Sequence, residues 1–411
     1  MYRLTPKEIK MKINKIAILW ESETGGGVSS YLKYLLQSKA FRKKKIIIFS
    51  NTTNKGLTHL KKELKTNNNI KFVSYQSFFV ILNQNYVMKL LYYFLKPFLL
   101  IVSIFKFRKL FKKYQFDALV CQCGNYGSFR SDQAALLATH NLNIKHKCMV
   151  IHHECIKPPK FMNTVFKIID FYLRKVLTSI VLISSATRET VKSKSKLINN
   201  NSYIIPNGVP INTFQKKNYL NKFVKSKAKI KIGMISQLTN DKNHKDLLYA
   251  FSKLPRKYQQ KMSIIIVGED IDGQMFKLKK LAKKINIKDK VEFLNFVNID
   301  NKKIILSFDL FFSLTKNFEG FGLSIAEAMS AGIPILATNV GAVKEFFNSD
   351  CGKLIPPGNI NKIRDFLINY CDNEKYWKKK SKNGRVRINK YFNSEIMGKK
   401  YIEHLTSTRK N

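Results

Sequence analysis

Short apolar runs alternate with segments of helical periodicity along the whole chain. The runs predicted as strands in the first half are 15–20, 45–50, 70–75, 117–123, 148–153 and 179–185. Those predicted in the second half are 230–236, 263–268, 291–296, 310–314, 333–338 and 352–357. Buried strands that alternate with helices are typical of a parallel sheet wrapped by helices. The pattern therefore predicts an α/β fold with mainly parallel sheets.

A turn-rich link, "YIIPNGVPINTF" at 203–214, separates the two series of strands. It holds two prolines and an Asn-Gly pair, which favour a domain connection. The 411 residues exceed one ordinary core, since a domain has roughly 150. We predict an N-terminal domain, 1–208, and a C-terminal domain, 209–384, with a C-terminal helix at about 385–411 that can pack back on the first. Two such sheets that face each other would present the carboxyl ends of their strands, where open α/β sheets bind ligands, to a cleft.

The charge of the chain is strongly positive, with 74 Lys and Arg against 27 Asp and Glu and a formal net charge of +47. The first 200 residues hold 35 basic and only 9 acidic side chains. Such a field attracts polyanions, either nucleic acid or an anionic bilayer. A compositional bias, which the abundant Ile and Asn also indicate, is the alternative. The six cysteines lack paired zinc spacing, so we interpret them as reduced, buried thiols.

The longest apolar zone, 85–114, is interrupted by Lys89, Lys96 and Pro97. Its uninterrupted run, Pro97 to Phe105, is much shorter than the roughly 20 residues that a membrane-spanning helix needs. It predicts one or two basic, aromatic helices on a membrane interface, with Lys89 and Lys96 on one face, or core helices with snorkelling lysines. The first 20 residues show no secretory signal. We therefore expect a cytoplasmic protein, peripheral at the inner face of the cell membrane.

Two of the scarce carboxylates flank a glycine-broken turn in "KNFEGFGLSIAEAMSAGIPILAT", residues 316–338. Glu319 lies in the predicted loop and Glu327 one turn into the predicted helix. The free N–H groups around Gly322, Leu323 and Ser324 form a helix N-terminus that attracts phosphate. Carboxylates beside a phosphate are repulsive unless they accept hydrogen bonds from sugar hydroxyls. This predicts a nucleotide diphosphate sugar with Glu327 on the ribose and Glu319 on the transferred sugar; alternatively, Glu319 caps the helix and Glu327 is solvated on its surface.

The stretch "EGFGLSIAEAMSAGIPILATNVGAVKEF" closely resembles the E-x7-E signature of the retaining family 4 glycosyltransferases. Further stretches resemble that family in the same order along the chain: "GGGVSSYL" (25–32), "VIHHE" (150–154), "YIIPNGV" (203–209), "MISQLTNDKNHKDLLYAF" (234–251) and "GKLIPPGN" (352–359). The resemblance is dense after residue 203 and thin between 50 and 145.

This resemblance implies the GT-B architecture, two facing Rossmann-like domains, with a nucleotide diphosphate sugar as co-substrate and no metal or other cofactor. It implies that Lys242 contacts the diphosphate. It also implies that Gly26 and Gly27 admit a phosphate or the acceptor close to the backbone, and that His152 lies near the sugar. Without the resemblance, a satisfied histidine and a flexible turn are the simpler interpretations. An Asp-x-Asp at 270–272 is too weak a signal to predict a metal site.

One position departs from the family pattern. The family usually has Arg five residues before the lysine, and this chain has Gln237. A neutral amide donates a hydrogen bond but does not neutralise a phosphate, so the pyrophosphate would depend more on Lys242.

The resemblance implies a retaining glycosyltransferase that moves a sugar to a saccharide acceptor. A basic first domain with an interfacial segment favours a lipid-linked acceptor in cell-surface polysaccharide synthesis, with the anionic membrane surface as a second partner. The alternatives are an epimerase on the same fold, a basic nucleic-acid-binding protein and a catalytically silent partner subunit. No zinc-finger or RNP-type pattern accompanies the charge, so we expect no specific nucleic acid partner.

Overall fold

The computed structural model describes residues 11–23, 26–65, 67–79, 86–128, 130–198, 201–211, 214, 228–270, 273–295 and 301–407, with the side chains of 86–93 and 301 excepted. Gly25, the first residue of the glycine-rich loop, and Ile271 and Asp272 of the Asp-x-Asp stretch lie outside these ranges.

The first sheet consists of parallel strands. They are apolar on both faces, as in "KIAILW", which is typical of a parallel sheet that is covered on both sides. Its strands are β1 (Lys15–Trp20), β2 (Lys45–Asn51), β3 (Ile70–Tyr75), β4 (Ala118–Cys123), β5 (His146–Ile151), β6 (Ser179–Leu182) and β7 (Ser202–Ile204). Their order in the sheet is β3-β2-β1-β4-β5-β6-β7. All neighbouring pairs are parallel.

Helices connect these strands. They are α1 (Gly26–Gln37), α2 (Lys39–Arg42), α3 (Lys55–Glu63), α4 (Tyr86–Lys112), α5 (Ser131–Ala138), α6 (Asn163–Val176) and α7 (Ser185–Lys194), with a short 3-10 turn at Lys160–Met162 before α6. A core of buried side chains from α4, α5, α6 and the central strands lies on one face of the sheet.

The second sheet repeats the plan. Its strands are β8 (Ile230–Ile235), β9 (Met262–Gly268), β10 (Val291–Asn295), β11 (Leu310–Ser313), β12 (Ile335–Thr338) and β13 (Lys353–Ile355), in the order β10-β9-β8-β11-β12-β13. Its helices are α8 (His244–Ser252), α9 (Arg256–Gln259), α10 (Gln274–Lys284), α11 (Asn301–Ile305), α12 (Leu323–Ala331), α13 (Val343–Phe346), α14 (Ile360–Asp372) and α15 (Glu374–Tyr391), with a 3-10 turn at Lys288–Lys290. A last helix, α16 (Ser394–Thr406), ends the described chain. The predicted α/β class with parallel sheets is confirmed.

The chain divides into two compact units. One comprises Met1–Pro206 and Ser394–Asn411, and the other comprises Asn207–Asn393. The sequence placed these boundaries at 208 and at about 385. The second division comes later because α15 runs on to Tyr391 and packs against α12.

Helix α16 packs on the first unit beside α1 and α2. Its backbone holds the start of the described chain, since the Met11 N–H donates to the Thr406 carbonyl at 2.8 Å. His404 on α16 and His146 on β5 both approach the Ser179 hydroxyl, with Nε2 to Oγ distances of 2.7 and 2.9 Å. A buried polar contact therefore joins α16 to the sheet.

The sequence left two alternatives for the segment around α4, an interfacial helix and a core helix. The segment is one helix with Pro97 inside, and Lys96 is only 8% exposed, on the face that packs against the core. Position 96 aligns with the buried Leu100, Ser103 and Phe107, so Lys96 fits the predicted alternative of a core helix and not that of a lysine on the interface. Burial, and next the charge of Arg130, lower the pKa of Lys96. The side chain of the other predicted lysine, Lys89, lies outside the described residues. Among the described residues, no helix has the length and apolar character to cross a membrane.

Candidate functional site

Glu319 lies in the loop that follows β11, where the strand ends after Ser313. Its Oε2 accepts a hydrogen bond from Lys242 Nζ at 2.7 Å and from the Thr315 hydroxyl at 3.1 Å. Lys242 Nζ also lies 3.4 Å from Thr315 Oγ1. The carboxylate and the ammonium are only 16% and 22% exposed as side chains, so they form a charge pair that is partly shielded from water. Predicted separately from sequence, Lys242 and Glu319 are thus in direct contact.

Gly341 holds the backbone of Glu319 in place. The residue has a φ of +54°, and an added Cβ would lie 2.2 Å from the Glu319 carbonyl oxygen. The next residue, Ala342, donates its N–H to that same carbonyl at 2.9 Å. Because a side chain at 341 would overlap with backbone atoms, glycine is required here for the observed position of Glu319.

Helix α12 begins directly after Gly322, which has a φ of +87° and is the N-cap residue. Leu323 and Ser324 are half-buried in its first turn. Glu327 lies one turn further on and is 3% exposed. The alternative that Glu327 is solvated on the helix surface is therefore wrong, because α12 is covered along most of its length.

The loop between β8 and α8 supplies the lysine. Its backbone folds back on itself, with the Thr239 N–H donating to the Gln237 carbonyl at 2.9 Å and the Lys242 N–H donating to the Thr239 carbonyl at 3.2 Å. His244 then opens α8, and its Nε2 lies 2.9 Å from Ser236 Oγ. Burial, and next the charge of Lys242, lower the pKa of His244 to about 3, so the imidazole is neutral.

Asp241 connects this loop to the one that carries Glu319. Its carbonyl accepts the Lys316 N–H at 2.9 Å, and its Oδ1 accepts the Asn317 N–H at 3.2 Å. Two loops far apart in sequence are thus joined by hydrogen bonds from two backbone N–H groups to Asp241, which fixes Lys242 relative to Glu319.

The first unit contains the other predicted residues. Gly26 has a φ of +48° and begins α1, and an added Cβ at Gly27 would meet no atom within 4 Å. His152 follows the last residue of β5, and its Nε2 lies 2.7 Å from Gln122 Oε1. The ring of Tyr31, on α1, meets the His152 ring edge-on at a centroid distance of 4.7 Å. Burial lowers the pKa of His152 to about 3, so this imidazole is also neutral.

A cavity of about 180 Å³ opens near the carboxyl end of the first sheet. Its lining combines polar side chains with apolar ones: Tyr75, Ser77, Lys106 and Ser131, and Phe78, Phe107 and Leu110. Glu21, which follows β1, accepts hydrogen bonds from the Tyr75 hydroxyl at 3.0 Å and the Ser131 hydroxyl at 2.5 Å. The strand ends therefore bring a carboxylate and several hydroxyls together, as the parallel topology favours.

Sequence reasoning missed Thr315, Asp241 and Glu21. Thr315 and Asp241 stand in the motifs that we quoted or beside them, and a polar residue just after a buried strand was the available signal for Glu21. The Thr315 hydroxyl contacts Glu319 only four positions on, but its second partner, Lys242, lies 73 positions away. The partners of Asp241 lie 75 or more positions away and those of Glu21 54 or more, and no local pattern shows such contacts.

The family comparison matches residues 215–387 to the model of glycosyl transferases group 1. About two fifths of the chain is therefore similar to the group 1 glycosyltransferases. The matched segment contains Lys242, Glu319 and Glu327, so the site described above lies inside the part that defines the family.

Two curated relatives of the chain are bacterial. N-acetyl-alpha-D-glucosaminyl L-malate synthase of Bacillus anthracis is 26% identical over 262 residues, 63% of this chain and 57% of the relative. The O-antigen biosynthesis glycosyltransferase WbnH of Escherichia coli is 27% identical over 252 residues, 61% of this chain and 66% of the relative. The chain thus matches less than two thirds of the length of either.

A solved structure resembles the whole chain. Anabaena Alr3699/HepE in complex with UDP and glucose has a TM-score of 0.73 and 17% sequence identity, covering 95% of this chain and 99% of that one. The likeness confirms the predicted GT-B fold. Among the described residues, no cluster of three or more His, Cys, Asp or Glu side chains is arranged to hold a metal ion.

Proposed function

We propose that the protein is a retaining glycosyltransferase that moves a sugar from a UDP- or GDP-sugar to a saccharide acceptor. The observation that carries this proposal is the contact of Lys242 with Glu319, at 2.7 Å, next to the N-terminus of α12. An ammonium and free helix N–H groups suit a diphosphate, and a carboxylate in the same place suits sugar hydroxyls.

Binding of the nucleotide sugar would separate Lys242 from Glu319 and give each a new partner. When a diphosphate arrives, Lys242 turns from the Glu319 carboxylate to the phosphate oxygens, which releases Glu319 to accept hydrogen bonds from the sugar. Glu327 would accept the ribose hydroxyls, and Gln237 would donate to the phosphate without neutralising it. This gives each of the two carboxylates a ligand group that does not repel it.

In the reaction, the bond between the anomeric carbon and the phosphate oxygen breaks while an acceptor hydroxyl oxygen bonds to that carbon. Its proton leaves with the phosphate, and Lys242 with the α12 amides stabilises the negative charge that develops there. We infer attack from the face of the leaving group, so that the anomeric configuration is retained. Since the positive charge of Lys242 neutralises part of the negative charge of the diphosphate, we expect transfer to continue in EDTA.

The acceptor side of the proposal uses the first unit. The cavity near Glu21 has hydroxyl donors and the Lys106 ammonium, a combination suited to binding a sugar ring or a phosphorylated saccharide. Gly26 and Gly27 would let a ligand approach the start of α1, and the neutral His152 would contribute hydrogen bonding to the sugar rather than charge.

We infer that the acceptor is a lipid-linked saccharide of a cell-surface polysaccharide and that the enzyme works at the cytoplasmic face of the membrane. The relative WbnH, which is named for O-antigen biosynthesis, supports the polysaccharide class. All six cysteines are free, and five are buried, as expected in a reducing compartment.

Turnover of a panel of UDP- and GDP-sugars, with EDTA present, tests the proposed function. We expect one donor to be consumed, slowly by water and faster with lipid-linked acceptors, with NMR of the product showing the donor's anomeric configuration. Inversion would contradict the mechanism. An absence of turnover with every donor would contradict the function.

A further inference from the structure

Helix α4 is apolar on two opposite faces. One face, which includes Leu100, Phe107 and Phe111, is buried in the core of the first unit. The other carries Phe94, Phe98, Ile101 and Phe105, which are 65%, 62%, 53% and 68% exposed. At 100° per residue the exposed four fall within about 60° of one another, and the buried face lies about 150° away. A helix that only covered the core would need just one of these faces.

A second helix extends this surface. The Phe94 ring stacks on Phe161, just before α6, at a centroid distance of 5.7 Å. Phe161 is itself 58% exposed. On α6, Ile168, Phe171 and Tyr172 occupy one exposed face at i, i+3 and i+4 and are about half exposed, between 51% and 54%. We call the exposed apolar residues of α4, Phe161 and these three residues of α6 the α4–α6 surface.

The charges around the α4–α6 surface are positive. Residues 86–116 contain seven Lys and Arg and no acidic residue. Residues 155–176 contain five basic residues and one acidic residue, Asp170, which is buried and accepts hydrogen bonds from Tyr126 and Ser195. Lys175 lies over the Phe171 ring, with Nζ 4.2 Å from its centroid. Exposed Lys109 and Lys112 continue the apolar stripe of α4 at its C-terminal end.

We propose that the α4–α6 surface binds the headgroup region of an anionic lipid bilayer, with its aromatic side chains inserted and its lysines on lipid phosphates. Contiguous exposed apolar residues with a basic rim are the pattern of interfacial helices, and large apolar patches mark interaction sites. A second copy of this chain fits worse, because the basic rims of two copies would repel each other. The proposal does not depend on the reaction proposed above, since it uses only surface residues.

The experiment is co-sedimentation of the full-length protein with vesicles of phosphatidylglycerol and phosphatidylcholine, and with vesicles of phosphatidylcholine alone. We expect binding to the anionic vesicles that weakens with added salt. The double variant Phe98→Ser with Phe105→Ser should reduce it by about tenfold or more. The matched control is Phe276→Ser on α10, which removes a side chain that is 71% exposed in the second unit and should bind like the wild type.

A charge pair of variants completes the test. The double variant Lys109→Glu with Lys112→Glu on α4 should weaken vesicle binding. It should do so more than the control double variant Lys280→Glu with Lys283→Glu on α10, which also reverses the charge of two exposed lysines. Thermal unfolding checks that each variant folds, which the exposure of the replaced residues favours. Equal binding by the Phe98, Phe105 variant and its control would overturn the proposal. So would a wild-type dimer in sedimentation velocity that the same variant converts to a monomer, because the surface would then be an interface between copies.

Discussion

Single residues decide where the Glu319 carboxylate lies. Gly341 permits the close approach of two loops because it has no Cβ, and Lys242 with Thr315 orients the carboxylate from the other side. The motif around Glu319 predicts the carboxylate, but the residues that hold it, Lys242, Thr315 and Gly341, come from three separate loops. Two predictions belong to this scale.

The first concerns Gly341. Gly341→Ala should lower transfer by about a hundredfold, because a misplacement of roughly 1 Å at a reacting group has that effect. The matched control is Gly358→Ala, since Gly358 also has a positive φ, +77°, but an added Cβ there meets no atom within 4 Å. Both variants bear the left-handed backbone cost of about 1–2 kcal/mol. Gly341→Ala should be the less stable of the two, because its Cβ also overlaps with the Glu319 backbone. Steady-state kinetics at a temperature where both variants are folded should separate them; equal activities would mean that Glu319 tolerates the shift.

The second concerns the exchange of partners by Lys242. Glu319→Gln removes the counter-charge of the ammonium, so UDP or GDP should bind as tightly as to the wild type or more tightly. Transfer should nevertheless fall by about a hundredfold or more, as when a group that stabilises a transition state is removed. Titration of the nucleotide alone, next to kinetics with the donor sugar, separates the two effects. Weaker nucleotide binding by this variant would show that Glu319 does not compete for Lys242.

At the scale of elements, sequence periodicity predicts the strands well because both faces of each sheet are buried. Most predicted strands begin and end within about two residues of the observed ones. β7, Ser202–Ile204, was missed because it runs into the turn-rich stretch 203–214, which the sequence predicts as a link. The predicted strand 148–153 ends at Ile151 in the structure, since its pairing with β4 stops there, and this leaves His152 as the first residue of a loop. Periodicity could not distinguish the buried apolar face of α4 from the exposed one, because a helix that is apolar on opposite faces shows no single apolar stripe.

Buried histidines at element ends make stability depend on pH. Burial lowers the pKa of each of His146, His152 and His244 to about 3, with His404 as a further cause for His146 and Lys242 for His244. The unfolded chain binds these protons near pH 6.5, so their contribution is complete above that pH and is lost as the pH falls towards 3. Urea unfolding at pH 7.5, 6.0 and 5.0 should show a steady decrease in the free energy of unfolding.

A variant identifies the histidines as the cause. His146→Gln keeps a polar partner for Ser179 but does not titrate. Its free energy of unfolding should therefore fall less steeply with decreasing pH than that of the wild type, by the equivalent of up to one bound proton. An unfolding free energy that stays constant between pH 7.5 and 5.0 in the wild type would contradict the assignment.

For the whole molecule, sequence and structure agree on two parallel α/β units, and the donor site that we propose lies in the second. The contact between Lys242 and Glu319 spans 77 positions, so only the folded chain brings them together. The same holds for α16, which follows the second unit in sequence but packs on the first. Composition predicted a basic first half, whereas the arrangement of its apolar residues into the α4–α6 surface required the structure.

The measurement that tests the central claim most directly is calorimetric titration of UDP and GDP, with EDTA present, into the wild type, Lys242→Met and Lys245→Met. Lys245 is an exposed lysine three residues further on, so it controls for the loss of one positive charge. We predict that one of the two nucleotides binds the wild type and the Lys245 variant with the same affinity. Binding to the Lys242 variant should be weaker by about 1.5–3 kcal/mol, roughly tenfold to a hundredfold. Equal binding by both variants, or no binding to the wild type, would contradict the donor site at Lys242, Glu319 and α12.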